Sequence, residues 1–392
     1  MKLDELLPEL HMRVAAVRRD IHAHPELAFG EWRTADIVAE KLHGLGLAVH
    51  RGLAGTGVVG TLQTGTSGRA IGLRADMDAL PLDELNTFEH RSRHPGQMHA
   101  CGHDGHTAML LGAAEALVAL RNQGNFDGTV HFIFQPAEEG DGGGRVMVEQ
   151  GLFEKFPMQA VFGLHNWPGL PVGDMAVMSG PVMAGTDRLE IVVTGRGGHA
   201  AMPHQAADTV VAGAALVLAL QTLVSRNTEP FEPAVLSVTR FHAGHADNVL
   251  PEEARLGGTV RTFTTTQQTL MENGIRRICT GMAATFGVKI ECNVERGYPP
   301  TVNSAAETAL CSEVAKRVFG GGHVRSDLKP SMGAEDFAFL LRERPGCYVW
   351  LGNGKGEGGC MLHSPHFDFN DELIPLGIRY WVALVEKLLP PG

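Results

Sequence analysis

Residues 187–195, DRLEIVVTG, read as a strand, and the order of elements after them decides the fold. A helical run follows, AADTVVAGAALVLALQTLVSR (206–226), then the strands AVLSVTRF (234–241) and EARLGGTVRTF (253–263). A second helix, TQQTLMENGIRRICTGMAATF (266–286), and a strand, VKIECNVERGY (288–298), complete the set. This β-α-β-β-α-β order over roughly a hundred residues is that of a ferredoxin-like α+β unit, long enough to fold as a domain of its own.

On either side the rhythm is different. Up to about residue 178, helical patterns near 4–22 and 31–45 alternate with the apolar runs GVVGTL, AIGLRAD and TVHFIFQ, and a long helix starts near Asp104, which is suited to cap it. That alternation predicts a three-layer α/β/α domain. From 303 onward the alternation resumes, with a helix near 304–319, the apolar run CYVWLG and a closing helix from about 371. Donor-rich motifs lie on both sides of the middle unit. They predict a discontinuous catalytic domain, 1–182 and 297–392, interrupted by an inserted domain at 183–296.

A chain of 392 residues exceeds one ordinary core, in keeping with two domains. Its formal net charge of -11 repels polyanions, and no basic run offsets it, so nucleic acid is not an expected partner. The N-terminal stretch reads as an amphipathic helix rather than a signal peptide, and no apolar run approaches the ~20 residues of a membrane span. A cytoplasmic protein without membrane contact is expected. The six cysteines lack framework spacing, which fits a reducing compartment. Cys279, Cys292, Cys311 and Cys347 read as small buried hydrophobes, but Cys101 has different neighbours.

Cys101 lies in MHACGHDGH (98–106), two residues from His103 and just before a helix whose N-terminal end favours a thiolate. In QPAEEG, Pro136 ends a strand and Glu138 and Glu139 follow at its carboxyl end, where open α/β sheets place their sites. Adjacent side chains on an extended backbone diverge, so one carboxylate can bind metal while the other addresses a water or substrate. The residues alone leave open which does which. GLHNWP delivers His165 to a turn, and in LHSPHFDFN His363 and His366 flank a proline. A thiolate, imidazoles and a carboxylate give more donors than one tetrahedral zinc needs, which points to two metals in one site.

These motifs, with GGHAAMPH, NVLPEEA and GTVRTF, resemble in order those of the dinuclear metallopeptidase family of aminoacylases, hippurate hydrolases and auxin-amino acid conjugate hydrolases. The likeness runs from RRDIHAHPELAFGE to FNDELIPLG. It implies a zinc-peptidase-like catalytic domain with an inserted lid or dimerisation domain. It also implies metal ligation by Cys101, His103, Glu139, His165 and His363, with Glu138 as general base. Asp76 and Asp78 in RADMDALP resemble acids that orient the ligands, and His199 resembles the residue that holds the substrate carbonyl, often in a partner subunit. Arg261 suits a substrate carboxylate, Asn248 can donate to the same group, and His106 reads as structural. The chain departs from the family at Ala334, where serine is common before the Glu335–Asp336 pair.

The reaction implied is hydrolysis of N-acyl amino acids, hippurate-like or N-acetyl, with two divalent ions per subunit. Zinc or manganese is expected, and cobalt or nickel also suits the donors. The expected assembly is a homodimer or homotetramer. Competing readings are a metallo-carboxypeptidase or dipeptidase, a Cys101 nucleophile, and an inactive metal- or ligand-binding relative.

Overall fold

The computed structural model describes residues 2–355 and 360–391. The chain forms two compact units, Met1–Gly180 with Val302–Lys329 and Asp336–Gly392, and Pro181–Thr301 with Pro330–Glu335.

The larger unit is built on an eight-stranded sheet. Its first five strands are β1 (Ala48–Leu53), β2 (Gly57–Thr64), β3 (Ala70–Asp76), β4 (Gly128–Gln135) and β5 (Ala160–Pro168). In space β4 lies between β2 and β3, and β5 follows β3. The pairings of β3 with β4, of β3 with β5, and of β5 with Gly346–Gly354 are parallel. Every residue of β3 is buried, as expected of a parallel strand covered on both faces.

Side chains alternate across β3. Ile71, Leu73 and Ala75 join one core with Leu110 and Leu117 of helix α3 (His103–Leu120) and with Ile378 and Trp381 of the closing helix, Leu373–Leu388. Gly72 and Arg74 face the other way, toward Met158 and Phe337. Helices α1 (Leu3–Ala23) and α2 (Trp32–Gly44) complete the first layer. The expected cap is absent: α3 starts one residue earlier, Gly102 occupies its N-cap, and Asp104 instead binds His22 at 2.8 Å inside the core. The glycine run after Glu139 leads into a short helix, Gly143–Glu149.

The smaller unit has a four-stranded antiparallel sheet in the order Ala234–Ala243, Glu253–Thr262, Gly185–Thr194, Lys289–Arg296. Numbered within the unit, that is 2-3-1-4, the ferredoxin-like arrangement. Leu189, Ile191 and Val193 meet Leu216 and Leu220 of helix Thr209–Thr222 and Met271 and Ile275 of helix Thr265–Phe286. Contrary to the expectation from sequence, Thr209–Asn227 is long and apolar enough, by length and composition, to cross a membrane. Its Ala212, Leu216 and Leu220 cover the sheet, while Val211 and Leu218 are 53% and 73% exposed.

Candidate metal centre

The donor residues gather where neighbouring parallel strands end. Asp76 closes β3 and Gln135 closes β4, and His165 lies near the end of β5. Donor atoms of Cys101, His103 and His165 lie within 4.8 Å of one another. The same holds for Cys101, Glu139 and His363, and for His103, Glu138 and Glu139. All five ligand candidates and Glu138 therefore meet in overlapping groups. His366 enters no such group among the described residues.

Local backbone geometry makes this convergence possible. Gly102 has φ 99°, and a Cβ there would sit 2.2 Å from the Asn166 side-chain oxygen, so only glycine fits between Cys101 and His103. His363 has φ 64°, and its N–H donates to the Ala100 carbonyl at 2.7 Å, tying the C-terminal segment to the Cys101 loop. Ala137, with φ 55°, turns the chain between the end of β4 and the two glutamates.

The hydrogen bonds leave the ligand atoms free. His103 Nδ1 donates to the Asp78 carbonyl at 2.9 Å, which leaves Nε2, without a hydrogen-bond partner, as the nitrogen that can face a metal. His165 Nδ1 donates to the Asn166 carbonyl at 2.6 Å and turns Nε2 toward Cys101 Sγ at 3.4 Å. Glu139 Oε1 is buried without a hydrogen-bond partner, 3.2 Å from His363 Nε2. Buried polar atoms left unpaired are costly, and a cation among them removes the cost. The donor set fits divalent metal.

The sequence model of peptidase family M20/M25/M40 matches residues 72–387. The chain belongs to this family. A hippurate hydrolase of Campylobacter jejuni is 41% identical over 387 residues, covering 98% of this chain and 99% of the relative. An N-acyl-L-amino acid amidohydrolase of Geobacillus stearothermophilus is 45% identical over 303 residues, covering 77% and 81%. The crystal structure of a Bacillus subtilis dinuclear metal-binding peptidase of family M20 superposes with a TM-score of 0.84 at 34% identity, covering 98% and 100%.

Electrostatics in this M20 site follow from crowding carboxylates into a buried space. Burial pushes the Cys101 thiol well above its usual range, and Glu139, Glu138 and Asp76 push it further. Burial opposes charge on His103, but Asp76, Asp78 and Glu139 outweigh it and raise the imidazole to about 10. His165 goes the other way: burial, then His106, holds it well below the usual histidine range. Bound cations would take the place of the protons on Cys101 and His103, so metal uptake must release protons.

Of the two aspartates, Asp78 touches the donor residues directly. Its Oδ2 accepts the Glu139 N–H at 2.9 Å. Asp76 reaches His106 at 2.6 Å and Arg74 at 2.6 Å, and lies 3.8 Å from His103 Nε2. His106 passes the contact on, because its Nε2 accepts the Asn166 N–H at 3.0 Å. Sequence reading missed Arg74 and Gln135, and noted Asp336 only as retained. Asp336 accepts from Arg74 at 3.0 Å, Gln135 at 2.8 Å and the Gly144 N–H at 2.7 Å, while its own N–H points to Glu138 Oε1 at 3.4 Å. The signal was an arginine inside an otherwise apolar strand, which needs a buried acid to pair with.

His199, Asn248 and Arg261 belong to the smaller unit. Gly198–His199 pairs with Val249–Leu250, and the Asn248 carbonyl accepts the Ala200 N–H at 3.1 Å, so His199 and Asn248 are neighbours. Arg261 lies on Glu253–Thr262, where burial lowers its pKa. It has no ion pair among the described residues.

Proposed function

We propose that this M20 chain hydrolyses the amide bond of N-acyl amino acids, hippurate-like or N-acetyl, to a carboxylic acid and a free amino acid. The observation that carries the reading is the convergence of Cys101, His103, Glu139, His165 and His363 beside Glu138, with His103 Nε2 and Glu139 Oε1 buried and without hydrogen bonds among them. The names of the relatives from Campylobacter and Geobacillus support the substrate class. The Bacillus peptidase supports a count of two metals.

Two divalent ions, zinc or manganese, held by those five residues would polarise the scissile carbonyl and acidify a water to a pKa near ~7. Glu138 takes the proton of the attacking water and returns it to the leaving amine. His199 donates to the carbonyl oxygen as it gains charge. Arg261 and Asn248 hold the substrate carboxylate, a role supported by an arginine fork without an ion partner. Asp78 and Asp76 hold the ligand shell, the first by direct contact and the second through His106. The exposed apolar residues of Thr209–Asn227 support assembly into a homodimer or homotetramer.

A panel of N-benzoyl, N-acetyl and longer N-acyl amino acids, with dipeptides alongside, tests this in the presence of manganese or zinc. The expected result is turnover of one N-acyl series with higher kcat/KM than any dipeptide. No turnover by metal-loaded protein, or preference for dipeptides, would overturn it.

A further inference from the structure

Glu31 is buried, and its carboxylate has no cationic partner among the described residues. It stands at the N-cap of α2 but does not cap that helix: Glu26 takes the N–H groups of Arg33 and Thr34 at 2.9 and 2.8 Å. Glu31 spends its oxygens elsewhere. Oε1 accepts the N–H of Phe29 at 3.0 Å and of Ala137 at 2.9 Å, and Oε2 accepts the Thr56 hydroxyl at 2.6 Å.

Both backbone donors sit in the left-handed region, Phe29 at φ 59° and Ala137 at φ 55°, a conformation costly for any residue with a Cβ. Such a conformation persists only where surrounding contacts over-determine it. Ala137 immediately precedes Glu138 and Glu139. Its carbonyl accepts the Gly143 N–H at 2.9 Å, and beyond Glu138 the Glu139 N–H is held by Asp78. Two buried carboxylates, Glu31 on one side and Asp78 on the other, thus fix the backbone on either side of Glu138.

We propose that Glu31 is a positioning residue for the Glu138–Glu139 pair: its carboxylate holds Ala137 in the left-handed conformation that sends the two glutamate side chains to separate tasks. The inference rests on the proposed hydrolase reading for its kinetic consequence, and on the backbone geometry for its cause. Glu31→Gln keeps an acceptor for both N–H groups and offers its amide to Thr56. Glu31→Ala removes the acceptor, and Glu31→Asp withdraws it by one methylene. Glycine at 137 takes φ 55° without steric cost.

The test uses full-length, metal-loaded protein carrying Glu31→Gln, Glu31→Asp, Glu31→Ala and Glu31→Ala with Ala137→Gly. Metal content, kcat and KM are measured, and the Glu31→Ala protein is crystallised. In Glu31→Ala kcat should fall about 10²-fold, as for a base moved out of reach, with KM within about twofold and metal retained. Glu31→Gln should stay within about threefold of the parent, and Ala137→Gly should restore at least ~tenfold to Glu31→Ala. Should Glu31→Ala not fold, Glu31→Asp carries the same expectation of lost kcat at unchanged KM. Unchanged kcat in the variants that fold, or Glu31→Gln as impaired as Glu31→Ala, or no recovery from Ala137→Gly, would overturn the inference. If the parent turns over no N-acyl amino acid, the hydrolase reading fails. The Glu31 inference is then read from the crystal: Ala137 leaving positive φ in Glu31→Ala upholds it, and Ala137 keeping φ near 55° there overturns it.

Discussion

In the smaller unit the ion pairs lie at the surface: Arg188 and Arg240 share Glu190, Arg255 meets Glu253, and Lys289 meets Glu291. In the larger unit Arg74, Asp76 and Asp336 form a network whose side chains are wholly buried, and Arg18 reaches Asp104, Asp368 and Asp371 from a buried position. Among the described residues the smaller unit buries only two carboxylates, Asp187, which accepts from Gln268 at 2.6 Å, and Glu335, and its core cluster is built of residues such as Leu189, Val193 and Met271. Exposed pairs contribute little, and buried charges are costly unless fully partnered. The larger unit therefore retains an expensive interior, and it does so around the metal donors.

The contrast can be broken in four places. Stripping divalent metal should reduce hydrolysis to background and adding it back should restore it, as read by assay with metal analysis; full activity in verified apoprotein would remove the basis of the site. Glu138→Gln should lower kcat by about 10²–10⁴-fold while metal content stays at the parent level. Arg74→Met strands two buried carboxylates and should cost about 3–5 kcal/mol in denaturant unfolding, whereas Arg255→Met at the surface should cost at most ~1 kcal/mol. Equal costs would erase the difference between the units.

The last and smallest effect concerns His22. Burial opposes its charge, but Asp104 and Glu84 outweigh that and raise it to about 9 from the usual 6.5. A folded pKa above the unfolded one stabilises fully below about pH 6.5, and the contribution is lost as pH rises through about 9. The stability gap between the parent and His22→Asn should therefore be larger at pH 6 than at pH 10, measured by denaturant midpoints. A gap that widens with pH would reverse the assignment of charge.

Much of this organisation was legible because it is written locally. Strand period, Pro136 after an apolar run, and acids at strand ends are properties of neighbouring residues, and they located the ends of β3 and β4; His165, expected at a turn, lies inside β5, which runs on to Pro168 because Trp350–Gly354 continues to pair with it. The β-α-β-β-α-β order likewise needs only sequential elements. What escaped depends on partners distant in the chain. Asp104 looked like a helix cap, yet its partner His22 lies 82 positions away on α1. Asp336 binds Arg74 across 262 positions, and nothing near either residue announces the other. The left-handed Ala137 has no sequence signature, since alanine is not a residue that conformation selects. The exposed outer face of Thr209–Asn227 was not legible because the pattern is apolar nearly all round.

The most direct test of the whole account is anomalous diffraction from a crystal loaded with zinc. Two peaks are predicted, at about 2.0–2.3 Å from ligand atoms drawn from Cys101, His103, Glu139, His165 and His363, with the Glu138 carboxylate facing the space between them. Peaks bound elsewhere, or a metal held without His363 and Cys101, would contradict it.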